Sequence, residues 1–300
     1  MLKLVFENFK ILYLMCFLHG CGYVSAGWYT HEQAINKYDE LNLKIPMPEN
    51  DGRTQTLNKK GAATAKFDYA TKKFLEYAKG KNVLEIGGAY GDVMLAALKQ
   101  SKDTQYTLSD LDERHLFIAA KKLSIVIDEK KLKEESLNRV KFIQADITQA
   151  NDISEIGTYD AIFVGRVLHF LNPEQLQATV RHLFLLLKPG GRIFAVAVTP
   201  YVKRYERFIP EYERRVHAGE KNPGFITSLT DYLNADVTTP AQSQNIASDP
   251  FFFLDDEVMR KLFESNDFRV IESKMMPLSY SSASWALDGR ENVILIAEKQ

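Results

Sequence analysis

One segment constrains this chain more than any other: Val83-Leu84-Glu85-Ile86-Gly87-Gly88-Ala89-Tyr90-Gly91-Asp92-Val93, an apolar strand carrying a carboxylate, then a glycine-rich turn that opens a helix. Gly87 and Gly91 allow positive φ values and a close approach of backbone to ligand, and the following helix presents free N–H groups at its start. Such a corner binds a nucleotide-like ligand. A dinucleotide fingerprint G-x-G-x-x-G begun at Gly87 requires glycine at positions 89 and 92, where this chain has Ala89 and Asp92. That fingerprint fails at two positions.

Composition sets the outer limits. With 300 residues, 45% hydrophobic and 26% charged, the chain is globular and long enough for one large domain with an appendage. A net charge of −1 argues against the broad basic field that sequence-independent nucleic-acid binding needs, leaving room only for a local patch. Both cysteines, Cys16 and Cys21, lie near the start, so the body has neither a disulfide framework nor a cysteine-based zinc site. Lys3 and Lys10 precede the apolar run 11–18, and Val24-Ser25-Ala26 offers small residues before Gly27. Residues 1–26 therefore read as a secretory leader, implying export or membrane association. A membrane anchor, a lipidated Cys21 and an ordinary first helix remain alternatives. Without export the protein is cytoplasmic.

From about residue 60, short apolar runs alternate with helical patterns, the mark of an α/β fold with a mostly parallel sheet. Strands are expected at 82–86, 105–108, 140–144, 159–165 and 193–198, with a late pair at 268–275 and 291–297. Helices are expected at 65–77, 92–99, 113–127, 173–187 and 255–265, and Lys188-Pro189-Gly190-Gly191 reads as a turn. Read as acid-x-Gly-x-Gly-x-Gly, the opening segment presents Glu85, Gly87, Ala89 and Gly91, which resembles motif I of the class I S-adenosylmethionine-dependent methyltransferases in all but Ala89. Residues 65–198 and 255–300 resemble that family throughout, in its small-molecule, ubiquinone-biosynthesis-like type. The resemblance implies a Rossmann-like seven-stranded sheet ordered 3-2-1-4-5-7-6, with strand seven antiparallel and helices on both faces. Residues 27–64 form an N-terminal helical or loop extension, and 199–254 is the insertion where the family builds a substrate lid.

The same resemblance assigns the cofactor S-adenosylmethionine to named positions. Gly87, Gly88 and Gly91 line its methionine portion, with Glu85 supporting the loop and the charged end of the ligand, although Glu85 also reads as a satisfied loop carboxylate. Asp110 matches the acid that accepts both ribose hydroxyls, with Asp112 as fallback. Asp146 matches the adenine amine acceptor, with Ile147 donating from its backbone, and Gly165 and Arg166 match backbone contacts after strand four. Taken singly, Asp110 and Asp146 read equally as helix caps, and Arg166 as a surface charge.

Methyl transfer is an in-line displacement in which alignment does much of the work, so a base is optional. If one is used, His169 is the candidate, against the plainer reading of a packed histidine in an apolar turn. No metal-ligand spacing is evident. In the insertion, Tyr201, Tyr205 and Tyr212 are placed to line an acceptor pocket or to pack plainly, while Lys203, Arg204, Arg207, Arg214 and Arg215 are placed to meet an anionic acceptor or, interleaved with Glu206, Glu211 and Glu213, to lie on a solvated helix. No Asn-Pro-Pro-Tyr type tetrad follows strand four, and no body cysteine exists, which disfavours adenine amino-methylation and excludes C5-cytosine chemistry. The expected activity is methyl transfer to a small or lipid-like acceptor. An exported effector acting in another cell and a non-catalytic cofactor-binding protein stand as alternatives.

Overall fold

The computed structural model describes residues 27–149, 152, 156–238, 250–280 and 282–300. The expected leader, residues 1–26, and residues 239–249 of the insertion lie outside these. Among the described residues, no helix is long and apolar enough to cross a membrane.

The chain runs β1 (Gly27–Tyr29), α1 (His31–Glu40), β2 (Arg53–Gln55), β3 (Ala62–Thr64), α2 (Tyr69–Tyr77), β4 (Asn82–Ile86), α3 (Asp92–Gln100), β5 (Gln105–Asp110), α4 (Glu113–Asp128) and β6 (Val140–Gln144). It continues with β7 (Tyr159–Gly165), α5 (Pro173–Leu186), β8 (Leu187–Val198), α6 (Ile209–His217), β9 (Phe225–Ile226), β10 (Phe251–Phe252), α7 (Asp256–Glu264), β11 (Phe268–Met276) and β12 (Asn292–Lys299). The main sheet is ordered β1-β6-β5-β4-β7-β8-β12-β11. Its last seven members reproduce the expected 3-2-1-4-5-7-6 order, and β12 is antiparallel to both neighbours. The sheet has eight strands rather than seven, because β1 pairs antiparallel with β6. This three-residue strand covers the edge of β6 and itself becomes a short terminal edge.

Parallel strands buried on both faces must be apolar in both directions, and β4 shows it: Val83 faces one helical layer and Leu84 and Ile86 the other. The first layer is α1, α2, α3 and α4; the second is α5 and α7. Caps set the helix starts. Asp68 accepts the Thr71 N–H ahead of α2, and Asn172 with Gln175 forms a capping box that places Pro173 in the first turn of α5. The expected turn at 188–191 falls inside β8, whose pairing with β7 jumps from Leu187 to Arg192 while Gly190 takes a left-handed φ of 74°.

Candidate functional site

The loop 87–91 leaves the carboxyl end of β4. Gly87, Ala89 and Gly91 adopt φ of 68°, 43° and 73°, so left-handed backbone alternates along the turn. A Cβ on Gly87 would sit 2.2 Å from Val167 Cγ2, which excludes any other residue there. Ala89, the one departure from the motif, keeps the glycine-like conformation at some cost in strain. The Gly87 and Gly88 N–H groups donate to the Ser109 carbonyl at 2.9 and 3.1 Å, tying the loop to β5.

Glu85 is 3% exposed, beneath the loop, and accepts the Tyr106 hydroxyl at 2.7 Å. Burial pushes its carboxyl up to about 8. It supports the loop from below, as the satisfied loop carboxylate, and its Oε2 is turned to Tyr106.

Asp110 ends β5 as expected, but its carboxylate faces the protein. Oδ2 accepts the Ala89 N–H at 2.9 Å, and Oδ1 accepts the Asp112 N–H and His115 Nδ1, each at 3.0 Å. Asp110, expected to take both ribose hydroxyls, thus already accepts one bond from the chain at Oδ2 and two at Oδ1. Asp112, the fallback, lines a cavity of about 620 Å³ with Gly27, Tyr29, Asn58, Leu111 and Gln144, at the carboxyl ends of β5 and β6. Its oxygens are held by the half-exposed Arg114 guanidinium, which keeps the carboxyl below its ordinary range despite partial burial.

Asp146 follows β6 and accepts the Thr148 N–H and hydroxyl through Oδ1 at 2.9 and 2.7 Å. Ile147 is buried, and its carbonyl meets His182 Nδ1 at 2.9 Å. Gly165 ends β7, and Arg166 takes a left-handed φ of 61°. The Arg166 side chain is not a free surface charge: Nη2 lies 2.9 Å from Asp68 Oδ2, off the line of a hydrogen bond.

His169 is 2% exposed, with rings of Phe170 and Phe251 at 4.3 and 4.9 Å, and its Nδ1 accepts the Val198 N–H at 3.3 Å. Burial, helped by the Arg166 charge, lowers its pKa to about 3. This packing matches the plainer reading of a histidine in an apolar turn. Tyr201, Tyr205 and Tyr212 are buried in a separate aromatic cluster above the sheet. Tyr201 lies under Arg290, Tyr205 packs on Phe253 and Trp285, and Tyr212 donates to Asp255, the cap of α7. They pack on protein rather than lining an open pocket.

Residues the sequence reading passed over complete the site. Leu43, Ile45, Leu57 and Ala63 pack on Ala89, Tyr90 and Ile118, so the stretch between α1 and α2 straps across the loop. Tyr90 donates its hydroxyl to the Gln55 carbonyl at 2.8 Å, and the Leu57 N–H donates to His115 Nε2 at 3.0 Å. His115, a buried histidine on an otherwise apolar helix face, was the available signal. Among the described residues no cluster of His, Cys, Asp and Glu is arranged for a metal ion.

Residues 84–193 match the sequence profile of a family described as a methyltransferase domain. No curated protein matches the sequence. Among solved structures, a SAM-dependent methyltransferase from Methanosarcina mazei is similar at 12% identity with a TM-score of 0.51, covering 75% of this chain and 95% of its own. Magnesium protoporphyrin IX methyltransferase from Synechocystis PCC 6803, with bound SAH, aligns at 16% identity and a TM-score of 0.48, over 77% of this chain and 81% of its own. The 1,6-didemethyltoxoflavin-N1-methyltransferase of Burkholderia thailandensis aligns at 13% identity and a TM-score of 0.48, over 79% and 78%.

Proposed function

We propose that the chain, whose residues 84–193 match a methyltransferase domain, is a class I S-adenosylmethionine-dependent methyltransferase that transfers the cofactor's methyl group to a small-molecule or lipid-like acceptor. The observation that carries this reading is the loop 87–91, whose alternating left-handed backbone is pinned to the acid at the end of the next strand. When bound, S-adenosylmethionine supplies a methyl carbon on positively charged sulfur, open to in-line displacement by a lone pair.

The chain's own residues divide the binding. Backbone of 87–91 meets the methionine portion, and neutral Glu85 supports it from below. Asp110 holds the loop in shape, and Asp112 offers its carboxylate to the ribose diol from the cavity wall. Asp146 keeps Oδ2 for the adenine amine while Oδ1 fixes its own turn. With His169 buried and neutral, transfer depends on alignment, and any acceptor proton leaves to solvent. The aromatic roof of 199–238 and 250–254 suits a small apolar acceptor.

The burial of Tyr201, Tyr205 and Tyr212 among protein partners favours a second reading, cofactor binding without transfer. Calorimetric titration of the full chain with S-adenosylmethionine, S-adenosylhomocysteine and NAD tests the first step. Binding of the first two alone is expected; binding of NAD, or of none, overturns both readings. Methyl-labelled S-adenosylmethionine incubated with phenols, amines and carboxylic acids then separates them, since binding without a labelled product favours the second.

A further inference from the structure

One buried cation in the insertion has no counter-charge. Arg204, in the turn 203–208 after β8, is 8% exposed, yet among the described residues it pairs with no carboxylate. Its Nη2 donates to Ser284 Oγ at 3.2 Å, and its Nε is buried without an acceptor. Of the neighbouring charges, Lys203 pairs with Glu206, Arg214 and Arg215 share Glu211, and Arg207 is exposed to solvent. Arg139, which also lacks a carboxylate, fills its fork with the carbonyls of Ser101 and Thr104 and the Ser136 hydroxyl. Arg204 meets the Ser284 and Tyr205 hydroxyls, both uncharged, and keeps its Nε unmatched, whereas the fork of Arg139 meets three oxygens.

The surroundings are aromatic and rich in donors. The Arg204 guanidinium lies 5.3 Å from the Trp285 ring centroid, and Trp285 Nε1 is itself buried with no acceptor. Tyr205 stands edge-on to the same ring at 6.2 Å. Arg53 approaches the ring from β2 at 5.7 Å, but Asp51 neutralises it at 2.7 Å. The insertion, the strap and the loop 277–291 therefore meet around two unmatched N–H donors and one unmatched charge. Gln55, which receives the Tyr90 hydroxyl of the cofactor loop, is two residues along β2 from Arg53, roughly 7 Å away.

Buried unpaired donors are rare, and an unpaired buried charge destabilises a fold unless something answers it. We propose that Arg204 and Trp285 Nε1 anchor a carboxylate carried on an apolar body, so that the methyl acceptor is a small aromatic or lipid-like acid. A single uncompensated guanidinium matches a monoanion rather than a phosphate dianion. The carboxylate is the anchor and not the methylated group, because a bound guanidinium draws off the electron density a nucleophile needs. The inference rests on the methyltransferase reading.

The test uses the full chain saturated with S-adenosylhomocysteine, titrated with benzoate, 3-phenylpropionate, octanoate, their uncharged amides and phenyl phosphate. At least one carboxylate is expected to bind and its amide to fail. Arg204→Met is expected to lower that affinity by about tenfold or more, leave S-adenosylhomocysteine affinity unchanged and raise the melting temperature, as removal of an unpaired buried charge should. Trp285→Phe, which keeps the ring and deletes one donor, is expected to weaken the same acid and serves if the first variant misfolds. Failure of every carboxylate, equal binding of the amides, tighter binding of phenyl phosphate, or unchanged affinity in the variants overturns the proposal. Failure of S-adenosylhomocysteine itself to bind would instead overturn the methyltransferase reading.

Discussion

Asp110 Oδ2 accepts the Ala89 N–H at 2.9 Å, so the acid at the end of β5 shapes the loop at the end of β4. Its other oxygen takes the Asp112 N–H and His115 Nδ1, and His115 in turn receives the Leu57 N–H of the strap. Loop, acid, histidine and strap form one chain of hydrogen bonds.

Asp110→Asn places an amide against three donors and should destabilise the fold by about 2 kcal/mol or more, because hydrogen bonds to charged groups are worth about 1.5–3 kcal/mol each. Asp112→Asn should leave stability nearly unchanged, asparagine being an equal helix cap, while weakening S-adenosylhomocysteine by about 1.5–3 kcal/mol. Urea melts and calorimetry on both variants decide it. If Asp110→Asn is stable and binds poorly while Asp112→Asn binds normally, the ribose role returns to Asp110.

Ala89 tests the cost of the loop's left-handed turn. Ala89→Gly should change stability by no more than about 1 kcal/mol, since relief of strain offsets the buried methyl. Ala89→Val puts a branched side chain at φ 43° and should cost about 1–3 kcal/mol, with loss of cofactor affinity. A valine variant as stable as the parent would show that the loop relaxes freely.

Glu85 makes stability fall as pH rises. Its folded pKa of about 8 lies above the ordinary 4.5, so within that window the folded state holds a proton that the unfolded state has lost. The folded state is then favoured less at each step upward, by up to about 1.4 kcal/mol per pH unit. Glu85→Gln should raise the melting temperature more at pH 8 than at pH 5; an equal gain at both would place the ionised carboxylate in the native protein.

His169 acts at the other end of the scale. With a folded pKa of about 3 against an ordinary 6.5, it contributes stability that is present above pH 6.5 and lost as pH falls toward 3. His169→Asn, whose Oδ1 replaces Nδ1 as acceptor for Val198, should flatten acid unfolding in that range and leave the pH dependence of turnover unmoved. A shifted turnover profile would restore His169 as a base.

The strands most legible in the sequence were those with continuous apolar cores. Asn82–Ile86, Val140–Gln144 and Tyr159–Gly165 begin and end where the pattern places them, because burial on both faces leaves no ambiguity. β1, β2 and β3 escaped notice: Gly-Trp-Tyr, Arg-Thr-Gln and Ala-Ala-Thr are three-residue pieces with no period to read. The position of Asp110 was readable, but not the direction of its carboxylate. That direction is set by His115, two residues into α4, and by a strap more than 50 residues upstream. The tyrosines of the insertion were recognisable as apolar bulk, and only their partners Phe253, Trp285, Arg290 and Asp255 show where that bulk lies.

The pairing of Gly27 with Gln144 sets a schedule for the nascent chain. At about 5–20 residues per second, the partner strand leaves the ribosome on the order of 6–23 s after Gly27, 117 positions later in the sequence. Within that interval α1 and the strap meet their own partners, the loop 87–91 and Ile118 of α4, so β1 waits longest for its neighbour. A chaperone that holds emerging chains has its longest opportunity at that strand.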